Sequence, residues 1–124
     1  RTTMLAAADR FYASRNIGQT NGGGALKNSC IWTINGLRSG DCTAAMKDSA
    51  LSRVSQVRDR TLIAVDEERS LAVYRAFQDI PAHDTGYPLT FQTIEVLRFD
   101  RGTIASVDTY TSELPYGMKP HGSY

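Results

Sequence analysis

The spacing of apolar side chains changes once along this chain, and the change limits the fold more than any other feature. Near the start, Met4, Leu5, Ala8, Phe11 and Tyr12 recur at intervals of three and four, the spacing of one helix face. Thr2 or Thr3 can cap this helix, Asp9, Arg10 and Arg15 fall on its other faces, and Asn16-Ile-Gly stops it after about Arg15. From Ser55 the period becomes two, which is the alternation of a strand with one buried face. Val57 to Val65 and Ser70 to Ile80 flank the charged turn Asp66-Glu-Glu-Arg69. Leu89 to Phe99 and Thr103 to Ser112 flank Asp100-Arg-Gly102, and a loop fenced by Pro81 and Pro88 separates the two hairpins. Helices first and a four-strand meander afterwards predict an α+β domain with its helices packed on one sheet face.

The middle of the chain is more broken. Residues 18–28 contain three consecutive glycines and read as a flexible surface loop. They are not a phosphate cradle, which needs a preceding strand and Lys-Ser/Thr after its last glycine. Cys30-Ile-Trp-Thr-Ile-Asn reads as a short strand ended by Asn35-Gly36, a strong turn signal. Asp41 or Thr43 can cap a second helix over about 43–52, and the tail from Leu114 to Tyr124 is rich in turn residues. At 124 residues the chain is one domain, 1–124, large enough for an ordinary hydrophobic core. Its start at Arg1, without an initiator Met, is read as a processed or trimmed end.

Charge excludes some functions. Fourteen basic and thirteen acidic side chains are spread along the whole length, with no basic stripe for nucleic acid. No apolar run approaches the roughly eighteen residues that span a bilayer, so no membrane partner is expected. Cys30 and Cys42 stand twelve positions apart, with no second cysteine pair or suitably spaced histidine to complete a zinc site. They are expected to form a disulfide, which points to a secreted or secretory-pathway protein. Two buried thiols in a cytoplasmic protein are the alternative. No metal is expected, and no dinucleotide fingerprint, Gly-x-Ser-x-Gly or His-Glu-x-x-His is present.

Strand pairing supplies the sharpest candidates. If the second hairpin runs in simple register from its turn, Glu95 lies opposite Asp108, Thr93 opposite Tyr110 and Phe91 opposite Ser112. Two facing carboxylates in a partly buried site raise one pKa and make an acid beside a base. A slip of one residue separates them. The same arithmetic in the first hairpin puts Arg75 opposite Arg60 and Phe77 opposite Arg58, giving one basic face. Those arginines offer a structural alternative, in which they neutralise the acids at the surface.

His83 beside Asp84 is a candidate proton shuttle, and His121 a weaker one. Tyr12 and Tyr110 could donate hydrogen bonds to a ligand from opposite walls of a pocket, with Trp32, Tyr74, Phe91 and Tyr116 as its lining. Core packing is the plainer role for these aromatics.

Three segments carry a resemblance: Val57-Arg-Asp-Arg-Thr-Leu-Ile-Ala-Val-Asp-Glu-Glu-Arg69, Phe91-Gln-Thr-Ile-Glu-Val-Leu-Arg-Phe99 and Leu114-Pro-Tyr-Gly-Met118. In this order they resemble a largely fungal set of SnoaL-like proteins of the NTF2-like superfamily, many of which carry secretion signals. The resemblance implies an NTF2-like (cystatin-like) cone, with helices against a strongly curved antiparallel sheet, a pocket between them and frequent homodimers. The Cys30–Cys42 segment would be its short first hairpin. A glycine-rich loop at 16–28, where relatives carry a helix, departs from that pattern. Enzymes of the superfamily include ketosteroid isomerase, scytalone dehydratase, limonene epoxide hydrolase and polyketide cyclases. The expected function is therefore cofactor-free isomerase, cyclase or dehydratase chemistry on a small apolar natural product. Glu95, Asp108, Tyr12 and His83 are its candidate catalytic residues. A non-catalytic binding or dimeric interaction module of the same fold is the alternative.

Overall fold

The computed structural model describes residues 1–16, 22–48, 53–81 and 86–120. Helix α1 runs Thr2–Asn16, and a short 3-10 turn, Gly22–Gly24, leads into strand β1, Leu26–Ile34. Strand β2, Leu37–Asp41, and helix α2, Cys42–Asp48, follow. Strands β3 (Gln56–Asp66), β4 (Leu71–Ile80), β5 (Leu89–Asp100) and β6 (Thr103–Pro115) complete the order. The expected helix over 43–52 is present to Asp48, and its remainder lies outside the described residues. Asp41 caps it, accepting a hydrogen bond from the Ala44 amide at 2.8 Å.

The six strands form one sheet in the order β2-β1-β6-β5-β4-β3. The four-strand meander is its β3–β6 part, as the alternation predicts. The first hairpin joins it through β1, which lies parallel to β6. Residues 26–28 are therefore strand, not loop, and the Ile104 amide donates to the Ala25 carbonyl at 2.8 Å to start that parallel pairing. Both two-residue turns place two consecutive residues at positive φ, Asn35-Gly36 (51° and 84°) and Arg101-Gly102 (52° and 83°). This conformation matches the right-handed twist of paired strands.

Helix α1 packs across the sheet face that carries Trp32, Ala72, Tyr74, Leu97 and Val107. Met4, Ala8, Phe11 and Tyr12 are its buried side, as the helical spacing requires. Cys30 and Cys42 are disulfide-bonded, with Cα atoms 5.3 Å apart and both side chains buried. The bond ties β1 to the start of α2.

Two bulges decide which side chains face the helix. In β6 an extra residue, Ala105, falls between Ile104, which pairs with Phe99, and Ser106, which pairs with Arg98. The turn-proximal pairs keep the simple register, and every later pair is displaced by one. In β3 an extra residue after Arg58, where Asp59 has φ 51°, separates the arginines. Arg58 stays with Phe77 and Asp79, while Arg60 turns toward α1. Phe77 pairs with Arg58 as expected, but Arg75 lies opposite Thr61, so the first hairpin has no single basic face.

Candidate functional site

Glu95 projects from the middle of β5 into the space under α1, and no part of it reaches solvent. The Tyr12 hydroxyl donates to Glu95 Oε1 at 2.8 Å, and the Thr109 hydroxyl donates to Oε2 at 2.7 Å. The Trp32 indole N–H donates to the same Thr109 oxygen at 2.9 Å, fixing which way its proton points. Arg15 brings the opposing charge, with Nη1 3.6 Å from Glu95 Oε1. Its Nη2 donates to Gln78 Oε1 at 2.6 Å, and Gln78 Nε2 donates to Thr93 Oγ1 at 2.9 Å. The guanidinium also lies 5.7 Å and 5.6 Å from the ring centres of Phe11 and Trp32, inside cation–π range. One carboxylate, one guanidinium, one phenol and a chain of hydroxyl and amide groups thus form a closed polar cluster within the apolar core.

Burial holds the Tyr12 hydroxyl well above its ordinary pKa, and the charge and hydrogen bond of Glu95 push it further, against smaller opposing effects of Arg15 and Arg60. Tyr12 therefore keeps its proton and is a hydrogen-bond donor at any physiological pH. Arg15 Nη1 has no hydrogen-bond partner although it is buried. A buried carboxylate linked to a neutral phenol, beside a fixed positive charge, can accept a proton from carbon and offer a hydrogen bond to the oxygen that becomes negative.

Tyr12 connects this cluster to the surface. It lines a cleft of about 370 Å³ between α1 and β3, together with Asp9, Asn16, Arg58 and Arg60. Arg60 covers the Tyr12 and Tyr74 rings at 4.8 Å and 5.4 Å and is paired with Asp9 at 2.6 Å. A second cleft, about 190 Å³, lies at the far end of the same sheet face and is lined by Ile80, Tyr87, Leu89, Phe91 and Arg53.

The sequence-derived candidates divide accordingly. Tyr12, Trp32, Tyr74 and Glu95 meet under α1, and Phe91 lines the second cleft. Asp108 does not face Glu95. The extra residue at Ala105 puts Thr109 opposite Glu95 and turns Asp108 to the other sheet face, opposite Val96 and 4.0 Å from Arg98. The same shift pairs Tyr110 with Ile94, where it is half exposed on the face away from Tyr12. Tyr116 is likewise about half exposed, beyond the last strand pair, and lines none of these clefts. His83 and His121 lie outside the described residues. Among the described residues no group of three or more His, Cys, Asp or Glu side chains is placed to hold a metal ion.

Arg15, Thr109, Gln78 and Thr93 complete the cluster and were not singled out in the sequence. Arg15, placed on another helix face from the sequence, instead continues the buried stripe Met4, Ala8, Phe11 and Tyr12 at the next helical step.

An antiparallel meander bent around one long helix, with a short N-terminal hairpin added parallel to the last strand, is the NTF2-like architecture. Solved structures share it. An NTF2-like protein of unknown function from Burkholderia pseudomallei has a TM-score of 0.67 at 15% identity, over 90% of this chain and 92% of that one. AusH from Aspergillus nidulans gives 0.70 at 12% identity, over 90% and 85%. An LEH-like epoxide hydrolase from M. tuberculosis gives 0.63 at 13% identity, over 90% and 84%. At these identities the likeness shows the fold alone. No curated protein matches the chain in sequence. Residues 1–111 match the family described as a domain of unknown function, DUF8021, and the chain belongs to that family.

Proposed function

We propose that this protein is a cofactor-free acid–base enzyme acting on a small, largely apolar molecule that enters beside Tyr12. The observation that carries this reading is the Tyr12–Glu95 hydrogen bond in a solvent-free site that opens, through the Tyr12 side chain, onto the α1–β3 cleft. In such a site Glu95 accepts a proton from carbon next to a carbonyl, and its carboxylate becomes the acid. When the substrate enters, Tyr12 turns its single O–H from Glu95 Oε1 to the substrate oxygen, which frees Oε1 to take the proton, and Arg15 balances the negative charge as it moves from Glu95 to that oxygen. Return of the proton to another carbon completes an isomerisation. Fold likeness to an epoxide hydrolase supports small-molecule chemistry in this architecture.

Solvent-deuterium incorporation tests the reading. A panel of cyclic ketones and enones is incubated with the protein in D2O and followed by proton NMR. At least one member is expected to exchange faster than in buffer, with the rate falling about 10²- to 10⁴-fold in Glu95→Gln and less in Tyr12→Phe. Exchange equal to buffer across the panel, or unchanged in Glu95→Gln, removes the proposal.

One observation favours a second reading, a binding module without chemistry. Both Glu95 oxygens already have donors, so the cluster is stable as a structural element. On that reading a ligand found by native mass spectrometry binds equally to wild type and Glu95→Gln. The proposal also includes secretion, which the Cys30–Cys42 disulfide supports because such bonds persist in oxidising compartments. Pairing of two copies is the remaining element, tested by sedimentation velocity at micromolar concentration.

A further inference from the structure

The outer sheet face carries a second polar feature, unrelated to Glu95. Arg75 stands on β4 between Thr61 of β3 and Ile94 of β5, at an odd-numbered position, whereas Tyr74, Ala76 and Gln78 turn toward α1. Its Nε is enclosed and has no hydrogen-bond partner. An unmade charged donor is costly, so the guanidinium's charge calls for a partner on the side that still lines open space.

The surrounding charges are already committed. Arg58 spends its guanidinium on Asp79 and Asp59, Arg60 on Asp9, Arg69 on Asp66, Lys27 on Asp100, and Arg98 lies nearest Asp108. Arg75 and Lys119 take part in no ion pair among the described residues. These two cations line one cavity of about 140 Å³, with Gln92, Phe77, Leu114 and Met118 completing its wall.

The fold sets the far side of that cavity. The C-terminal segment is fastened by Arg58 Nη2, which donates to the Met118 carbonyl at 2.6 Å, and by the Gly117 amide, which donates to Thr90 Oγ1 at 2.9 Å. Lys119 follows directly on this fastened stretch. Water alone in the cavity would leave two positive charges uncompensated beside apolar side chains.

We propose that this cavity is a binding site for a small oxyanion, a carboxylate or phosphate group. Arg75 and Lys119 supply the charge and Gln92 an uncharged donor. It lies on the sheet face opposite the Tyr12–Glu95 cluster and does not depend on the reading of that cluster.

Amide chemical shifts of the ¹⁵N-labelled protein, titrated with phosphate, sulfate or acetate at an ionic strength fixed with chloride, test the proposal. Saturable shifts are expected at Phe77, Gln92, Met118 and Lys119. Saturation by phosphate or sulfate alone assigns the site to a tetrahedral anion, and saturation by acetate as well assigns it to the wider oxyanion class. Arg75→Gln and Lys119→Gln should each weaken binding about tenfold or more, as expected when one charge-assisted hydrogen bond is lost. Arg53→Gln should leave it unchanged. If Arg75→Gln does not fold, the surface substitution Lys119→Gln carries the comparison. Linear shifts without saturation for every anion, or equal binding by wild type and Lys119→Gln, overturn the site.

Discussion

Glu95 holds a carboxylate where no water reaches it, and a single unpaired charge there would not survive. Arg15 supplies the opposite charge, and Tyr12 and Thr109 supply one donor to each oxygen. Two stability predictions follow from that arrangement. Tyr12→Phe keeps the ring packing on Phe11 and Tyr74 and loses only the donor, at a cost of about 1.5–3 kcal/mol in urea denaturation, the range for hydrogen bonds to charged groups. Arg15→Met strands the carboxylate and should cost about 3–5 kcal/mol, whereas Arg15→Met combined with Glu95→Leu should cost clearly less than the two single changes added together. Additive costs would mean that the charges do not interact across 3.6 Å. At this scale helical spacing aims Tyr12 inward, and period-two alternation singles out Glu95 on one sheet face while leaving open which face looks inward. Arg15 could not be picked out, since a charged residue at the end of a stripe is ordinarily placed in solvent. Its burial depends on a partner 80 residues further along the chain.

The elements themselves follow local chemistry closely, and their registers do not. Asn35-Gly36 and Arg101-Gly102 make two-residue turns where the glycines stand, and Gly102 adopts φ 83°, a conformation that side chains disfavour, with a Cβ there also 2.7 Å from Thr3 Cγ2, which would have to turn aside. The bulges at Ala105 and after Arg58 leave no comparable mark, because neither inserts a glycine. A one-residue offset reverses the face of everything beyond it, which is why Asp108 and Tyr110 were aimed inward from sequence and stand outside in the structure. Asn16 shows how helix and sheet lock together. Its side chain accepts from the Val57 amide at 2.6 Å and donates to the Val57 carbonyl at 3.3 Å, so the last residue of α1 occupies the free edge of β3. The first hairpin is secured differently, by the Cys30–Cys42 bond. Replacing both cysteines by alanine should lower stability by about 2–3 kcal/mol, as expected for a loop of this length. The change should appear as a lower urea midpoint with a slope no smaller than that of wild type, because the unlinked unfolded chain is more expanded. No difference between that double variant and the oxidised wild type would mean that the hairpin is held by the Trp32–Thr109 contact and its packing alone.

Across the described residues, the sheet buries one face under α1 and fastens Gly117 and Met118 against the other. The first arrangement is visible in the sequence as one long alternating half after a helical one. The second is not, because it depends on a single side chain, Asp79, gathering groups from three places. Asp79 accepts from Arg58 Nε and Nη2 at 2.8 Å and 3.0 Å and from Thr90 Oγ1 at 2.6 Å, and these two residues in turn hold the Met118 carbonyl and the Gly117 amide. Burial alone would raise the Asp79 pKa, but the hydrogen bonds from Arg58 and Thr90 and the Arg58 charge outweigh it, and the folded-state value is lowered. A carboxylate whose pKa is lower folded than unfolded adds stability above the unfolded value of about 3.9, and that stability disappears as pH falls through the folded value. Asp79→Asn lacks this titration. It should be less stable than wild type by about 2 kcal/mol at pH 7, the size of a lost charge-assisted contact. Urea titrations should show that gap constant down to about pH 4 and narrowing below it, with the protection of the Gly117 and Met118 amides, relative to their intrinsic exchange rates, falling in wild type over the same window. A gap that does not narrow as pH falls below 4, or is missing at pH 7, would show that Gly117 and Met118 are held by packing and not by the Asp79 charge.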